Sequence, residues 1–305
     1  MTFVHVVPSE WGAWVDVRAS FASLARRHPW VQVISLEEFR VRAAGGELWD
    51  DPDVLFVNWL LDDPGPRERR RCLVAGVYTE AMDEDESKLL PAHLDLWHRV
   101  KTVAGNFDGI FAHTPWMASM VGRMGIQAYV MPLGWDAEAM GAPRWHAPKH
   151  ERLVFHGTNT PRRALILPIF ERLLGNYLVN ISGQFGRGLL GRLDTAAAAL
   201  YIANSPVRSF STWRLWQAAS TSAAVLAEPG DTWPFEAGKH FLALPPITLD
   251  NLEAVARDIA RLADEHNLLL RTAETAHEVA RRYTVDRIEE EFLVPAALAM
   301  RAARA

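Results

Sequence analysis

Short apolar runs without polar alternation, each followed by a stretch of helical periodicity, recur along this chain and do so twice over. In the first half, FVHVV (3–7), VQVISL (31–36), VLFVNWL (54–60), LVAGVY (73–78), GIFAHT (109–114) and AYVMPL (128–133) predict strands. Continuous runs of this length suit strands buried on both faces. Helical stretches at 14–28, 87–104 and 115–124 lie between them, the last with Thr114 as N-cap and Pro115 in the first helical position. The pattern predicts an open, mostly parallel α/β sheet.

A change of composition follows over 136–151, DAEAMGAPRWHAPKHE, where prolines, a glycine and mixed charge predict a linker. Beyond it the pattern restarts. LVFHGT (153–158), YLVNISG (177–183), ALYIANS (199–205), AAVLAE (223–228) and KHFLAL (239–244) predict a second set of strands. At 249–262 the residues Leu249, Leu252, Val255, Ile259 and Leu262 recur at helical spacing, and two further helices are expected near 267–282 and 284–303. The expected layout is a domain over 1–136, a linker over 137–151 and a second domain over 152–283. A closing helix over 284–305 has the option of packing back on the first domain. Connecting helices are expected to be short or missing, notably around 184–198.

At 305 residues the chain has room for two domains of ordinary size, and 49% hydrophobic with 23% charged residues is a globular composition. A net charge of −5 gives no global field for polyanions. The single cysteine, Cys72, excludes an intrachain disulfide and fits a reducing cytoplasm. The opening MTFVHVVPSEWGAW lacks a charged leader and a long apolar run, so neither a secretory signal nor a membrane span is expected.

Residues 207–244, VRSFSTWRLWQAASTSAAVLAEPGDTWPFEAGKHFLAL, carry the most chemistry. Ser209, Ser211 and Thr212 open a helix that runs through Arg214 and Gln217 into small residues, with Arg208 just before it. Helix starts present unpaired N–H groups and the positive dipole end, which suits a phosphate. A short apolar strand, an acidic turn at Glu228, Gly230 and Asp231, and an aromatic–Gly turn from Phe235 to Gly238 follow.

This order of parts resembles the donor-binding segment of GT-B glycosyltransferases, particularly the group-1 C-terminal domain. The resemblance implies two Rossmann-like domains facing each other across a cleft, here in a compact version. Gly157 and Thr158 match the family's Gly-containing turn after the first strand of the second domain, and Arg162 or Arg163 matches the basic residue that meets the donor diphosphate there. Arginine fits that role through its planar, bidentate donor fork. Thr212 and Arg214 match the polar helix start, while Gln217 stands where the family has a glutamate for the donor ribose, and Ser222 where a glycine is common. Gln217 can hydrogen-bond a hydroxyl without the strength of a charge. Pro132, Gly134 and Asp136 match the family's Pro-x-Gly-x-Asp before the linker.

On the first domain the resemblance gives Gly12, in the loop after the first strand, a close approach to the donor. His113 and Glu80, at strand ends, are the candidates for general base, His113 first because its ordinary pKa lies near neutrality. Each also reads plainly as a strand-end polar residue bonded to nearby loops. GQFGRG at 183–188 reads as a loop without the lysine of a nucleotide-triphosphate site, and no GxGxxG follows the first strand. No HExxH is present, and no metal and no cofactor is expected beyond a nucleoside-diphosphate sugar as co-substrate.

The expected function is metal-independent transfer of a sugar from a nucleoside-diphosphate donor to an acceptor hydroxyl on a glycan or small molecule, in the cytoplasm. A second reading makes the acceptor a modified base in DNA, with Trp11, Trp14, Trp59, Trp97 and Trp116 stacking a flipped base and Arg67, Arg69, Arg70 and Arg71 on phosphates. A third is a degenerate nucleotide or glycan binder, motivated by Gln217 and Ser222.

Overall fold

The computed structural model describes residues 2–8, 14–45, 54–57, 63–79, 82–204 and 213–304, with the backbone alone at 14 and 15. The chain divides into two compact units, 1–139 with 283–305, and 140–282.

The first unit runs β1 (Phe3–Val7), α1 (Trp14–Arg27), β2 (Val31–Ser35), α2 (Leu36–Gly45), β3 (Val54–Val57), β4 (Leu73–Tyr78), α3 (Pro91–Val103), β5 (Gly109–Ala112), α4 (Pro115–Gly122) and β6 (Ala128–Val130). A single turn of helix, α5 (Ala137–Met140), leads out of it, capped by Asp136, which accepts the Ala139 N–H at 2.8 Å. The second unit runs β7 (Glu151–Phe155), α6 (Pro161–Leu174), β8 (Leu178–Asn180), α7 (Gly186–Asp194), β9 (Ala196–Tyr201), α8 (Trp213–Ala219), β10 (Ala224–Ala227), β11 (Leu242–Ala243), α9 (Leu252–Ala263) and α10 (His266–Arg282). The chain then rejoins the first unit through α11 (Val285–Ile288), a π-helical turn over Glu289–Leu293 and α12 (Val294–Arg304).

Both sheets are parallel throughout, and they share one strand order. The first is β2-β1-β3-β4-β5-β6 and the second β8-β7-β9-β10-β11. In each, chain direction across the sheet reverses between the first and third strands of the unit, at β1/β3 and at β7/β9. Ligands of open α/β sheets bind beyond the carboxyl ends of strands at such a point.

Burial explains the strand runs. All the residues of β1, β3, β4, β5, β9 and β10 are buried, as sheets covered on both faces demand. In the second unit Phe155, Phe170, Leu200, Leu226, Val255 and Ile259 belong to one core. In the first, Phe3, Phe56, Val77 and Phe111 of the sheet meet Ile288, Leu293, Ala297 and Met300 of the returning segment. That segment is also tied by polar contacts: His5 and Glu289, both buried, lie 2.9 Å apart through Nε2 and Oε2. Where the chain leaves and re-enters, Trp135 N–H donates to Tyr283 O (2.9 Å) and Val285 N–H to Trp135 O (3.1 Å). Gly134 permits this approach, since a Cβ there would stand 2.7 Å from Val285 Cγ1.

The Gly-rich 183–188, expected as a loop, is helical from Gly186, where α7 begins; its nine residues occupy the stretch where a connecting helix was expected to be short or missing. Leu189, Leu190 and Leu193 recur at helical spacing and are buried, with α7 packed on β9. Apolar spacing overrides the low helix propensity of Gly186, Gly188 and Gly191. β9 accordingly starts at Ala196 and not at 199.

Candidate functional site

The carboxyl edge of the second sheet, at the β7/β9 reversal, gathers the polar groups the sequence singled out. β7 ends at Phe155, and the chain continues through His156, Gly157 and Thr158 into α6, which Thr160 caps by accepting the Arg163 N–H. Pro161 occupies the first helical position. The two arginines that follow point to different partners.

Arg162 is locked. Its Nη1 donates to Glu228 Oε2 (2.8 Å) and Ala203 O (2.7 Å), and its Nη2 to Glu228 Oε1 (2.6 Å) and Ile247 O (2.7 Å). Glu228 in turn accepts the N–H groups of Ala203 and Ile247, both at 2.8 Å. The pair therefore fixes the chain leaving β9, the end of β10 and the start of the 247 segment against one another. Four acceptors on four terminal N–H groups leave Arg162 a structural part, in place of the diphosphate contact expected from its position.

Arg163 lies deeper, 2% exposed. It donates from Nε (2.9 Å) and Nη2 (2.6 Å) to Ile202 O and from Nη1 to Thr158 O (2.9 Å), with its guanidinium over the rings of Phe155 and Tyr201. Burial pulls its pKa down, as does Arg162, against opposing attraction from the Tyr201 side chain and Glu228. Gly157 makes room for it: a Cβ there would sit 2.9 Å from Arg163 Nη1.

Beside them, α8 brings Arg214 and Gln217 to the same edge, both buried. Arg214 Nη1 lies 3.1 Å from His156 Nδ1 and 3.1 Å from Gln217 Oε1. His156 is buried, and desolvation first, then Arg214 and Arg163, hold its pKa well below the ordinary value. The sequence reading did not single out His156. Its signal was its place, directly after a buried strand and before a glycine. Among the described residues, three guanidinium groups meet at this edge with one carboxylate, Glu228, and that carboxylate is consumed by Arg162. The departure at Ser222 lies elsewhere, at the opposite edge of the unit, where its hydroxyl is bonded to Lys149 Nζ (2.7 Å) and Asp194.

In the first unit His113 follows β5, buried, with Nδ1 2.9 Å from Met131 O. A carbonyl only accepts, so Nδ1 carries the proton and Nε2 the lone pair. Desolvation lowers its pKa to about 4, with the Met131 bond opposing. That value makes His113 a weak proton acceptor at neutral pH, against its expected rank as first candidate for general base. Gly12, Glu80, Arg208, Ser211 and Thr212 lie outside the described residues, as do Trp11 and Trp59.

The basic cluster expected for DNA phosphates is not one surface. Arg70 is buried (3% exposed) and Arg67 donates to Asp108 (3.2 Å), while Arg304 binds the carbonyls of Arg67 (2.8 Å) and Cys72 (2.7 Å). Trp97 is buried too, its indole N–H on Glu86 (3.0 Å) and its ring against Tyr78, so it offers no stacking face. Among the described residues no helix is long and apolar enough to cross a membrane.

No family model matches the chain, and no curated protein matches it in sequence. Solved structures do match its fold. Sucrose-phosphate synthase (tll1590) from Thermosynechococcus elongatus is 14% identical with a TM-score of 0.67, over 99% of this chain and 100% of that one. Anabaena Alr3699/HepE, solved with UDP and glucose, is 14% identical with a TM-score of 0.65, over 98% of this chain and 99% of that one. TarM is 12% identical with a TM-score of 0.58, over 78% of this chain but 53% of its own, so this chain spans about half of TarM's length. The chain has the GT-B fold.

Proposed function

We propose that this chain is a glycosyltransferase that takes a sugar from a nucleoside-diphosphate donor and passes it to an acceptor hydroxyl. The observation that carries the reading is the gathering of buried guanidinium groups, Arg163 and Arg214, at the β7/β9 edge of this fold. A diphosphate arriving at the strand-order reversal would meet these cations, and the likeness to HepE, solved with UDP and glucose, supports the same ligand class.

The chemistry follows from charge. As the glycosidic bond to the diphosphate breaks, negative charge grows on the leaving oxygen. Cations already fixed in place stabilise that charge without reorganising, which is often the largest contribution to such a rate. Arg163 cannot swing away, because its carbonyl partners and the ring faces of Phe155 and Tyr201 hold it. With guanidinium groups meeting the phosphate charge, the proposal includes independence from divalent metal. The weak basicity of His113 leaves Glu80 as the side chain to test for deprotonating the acceptor.

Calorimetric titration with UDP, GDP, dTDP and CDP, in magnesium and in chelator, tests the reading. Micromolar binding of one of them, indifferent to chelator and lost in Arg214→Ala, is expected. Failure of all four to bind would sink it.

A further inference from the structure

Three arginines of the first unit converge on one carboxylate. A short 3-10 turn over Arg67–Arg69 brings Arg67 and Arg70 to the start of β4, and Arg304 reaches the same place from the end of α12. Asp108, just before β5, is buried among them. Its Oδ1 accepts Arg67 Nε at 3.2 Å and lies 3.7 Å from Arg304 Nη1, and its Oδ2 lies 3.7 Å from Arg70 Nη2. Oδ2 also accepts the Val74 N–H (2.8 Å), which fixes the carboxylate to β4.

Three guanidinium groups against one carboxylate leave two positive charges over. Asp63 and Glu68 are exposed and bond to no guanidinium among the described residues; Asp63 Oδ1 accepts from Asn106 Nδ2 (2.7 Å) and the Gly65 N–H (2.9 Å). The shortfall falls on Arg70. It is 3% exposed and donates from Nη2 to Asn106 O, yet its Nε and Nη1 have no hydrogen-bond partner among the described residues. Desolvation lowers its pKa; Asp108 and the Cys72 thiol oppose this, and Arg304 and Arg67 add to it. Unmade donors on a buried charge are costly. Arg67 is the looser neighbour. Its side chain is 39% exposed, and Nη1 and Nη2 bond to nothing among the described residues. Arg304 is held by the carbonyls of Arg67, Arg70 and Cys72.

We propose that Arg67 and Arg70, backed by the charge of Arg304, form a binding site for a phosphate dianion, either inorganic phosphate or the end group of a small phosphomonoester. Two excess positive charges match a dianion, and the unspent N–H groups of two planar forks suit the several oxygens of a phosphoryl group. Entry costs Arg67 its single bond to Asp108, after which its fork closes on the ion. All of these residues belong to the first unit, and none is shared with the Arg163–Arg214 edge.

Cys72, the chain's single cysteine, reports on this site: Arg304 donates to its carbonyl, and its thiol feels the charge of Arg70 and Arg304. A bound dianion disfavours the thiolate and keeps Arg304 in place, so it should slow alkylation. The native protein is treated with an uncharged maleimide at pH 8, in inorganic phosphate, in glycerol 3-phosphate and in sodium chloride of matched ionic strength. Phosphate at about ten times its dissociation constant should slow the reaction roughly tenfold, and chloride should not. Protection by either phosphate supports the site, and the one effective at lower concentration names the source. Arg67→Gln, a change at a half-exposed side chain, should need roughly tenfold more phosphate, the loss of one charge-assisted contact. Arg70→Met should abolish protection, and Arg214→Ala should keep it in full. Phosphates that protect no better than chloride overturn the inference. So does protection that is unchanged in Arg67→Gln or lost in Arg214→Ala. The wild-type and Arg67→Gln measurements decide the matter even where Arg70→Met does not fold.

Discussion

Arg162 and Glu228 form a bidentate ion pair across 66 residues of chain, with both carboxylate oxygens engaged at 2.6 and 2.8 Å and each group also bonded to two backbone sites. Removing one partner strands the other, largely out of water. Arg162→Met or Glu228→Leu is expected to cost about 3–5 kcal/mol. The double variant should cost less than the sum of the two. Urea unfolding of the three proteins measures the coupling, and additive costs would show the pair to be incidental.

Gly157→Ala places a methyl group against Arg163 Nη1 and Phe155 Cζ, at 2.9 and 3.3 Å. The arginine is held on its far side by Ile202 O and cannot retreat without losing hydrogen bonds. A loss of about 1–3 kcal/mol is expected, as for other overpacked sites, together with weakened nucleotide binding. Thermal unfolding and calorimetry on the same sample check both.

His113 makes stability fall in acid. Its folded pKa, about 4, lies below the unfolded value near 6.5 because burial disfavours the imidazolium. Above pH 6.5 both states are neutral and the full stability is present. Between 6.5 and 4 the unfolded chain takes up a proton that the folded one refuses, and stability is lost as pH falls through that window. The full effect of this group is about 3 kcal/mol. Denaturant unfolding at pH 7, 5.5 and 4.5 should show the decline, and His113→Gln should flatten part of it. His156, lowered in the same direction, contributes to the remainder.

Cys72 is buried, with its thiol pKa pushed up by desolvation. Arg304 donates to its carbonyl at 2.7 Å, so the end of α12 covers the approach to β4. A thiol reagent at pH 8 should modify the native protein slowly and the urea-unfolded protein at once. Arg304→Ala should speed native modification. Equal rates in both proteins would detach the α12 end from this edge.

The parts of the fold that were legible in the sequence are those decided by local pattern. Val54–Val57 and Leu73–Tyr78 are apolar at every position, which only a doubly covered sheet tolerates. Thr114 and Thr160, each followed by proline, mark helix starts that the structure keeps. What stayed hidden depends on distant partners. The locked state of Arg162 is set by a glutamate beyond three intervening strands, and nothing in PRRA separates it from its neighbour Arg163. The helix α7 was obscured by three glycines, although Leu189 and Leu193 carried its period. The contacts of Arg214 join Gln217 from its own helix to His156 from the end of β7, a meeting no local pattern foretells.

The path of the chain also sets an order of assembly. Residues 140–282 are one uninterrupted stretch, whereas the first unit is completed by 283–305. On the ribosome the second unit can close its core as soon as Arg282 emerges. The first sheet, although synthesised earlier, waits for Ile288, Leu293 and Met300 to cover it. The unit whose strands are synthesised first is thus the last to finish folding, and a chain cut after Arg282 would carry a complete second unit joined to an unfinished first.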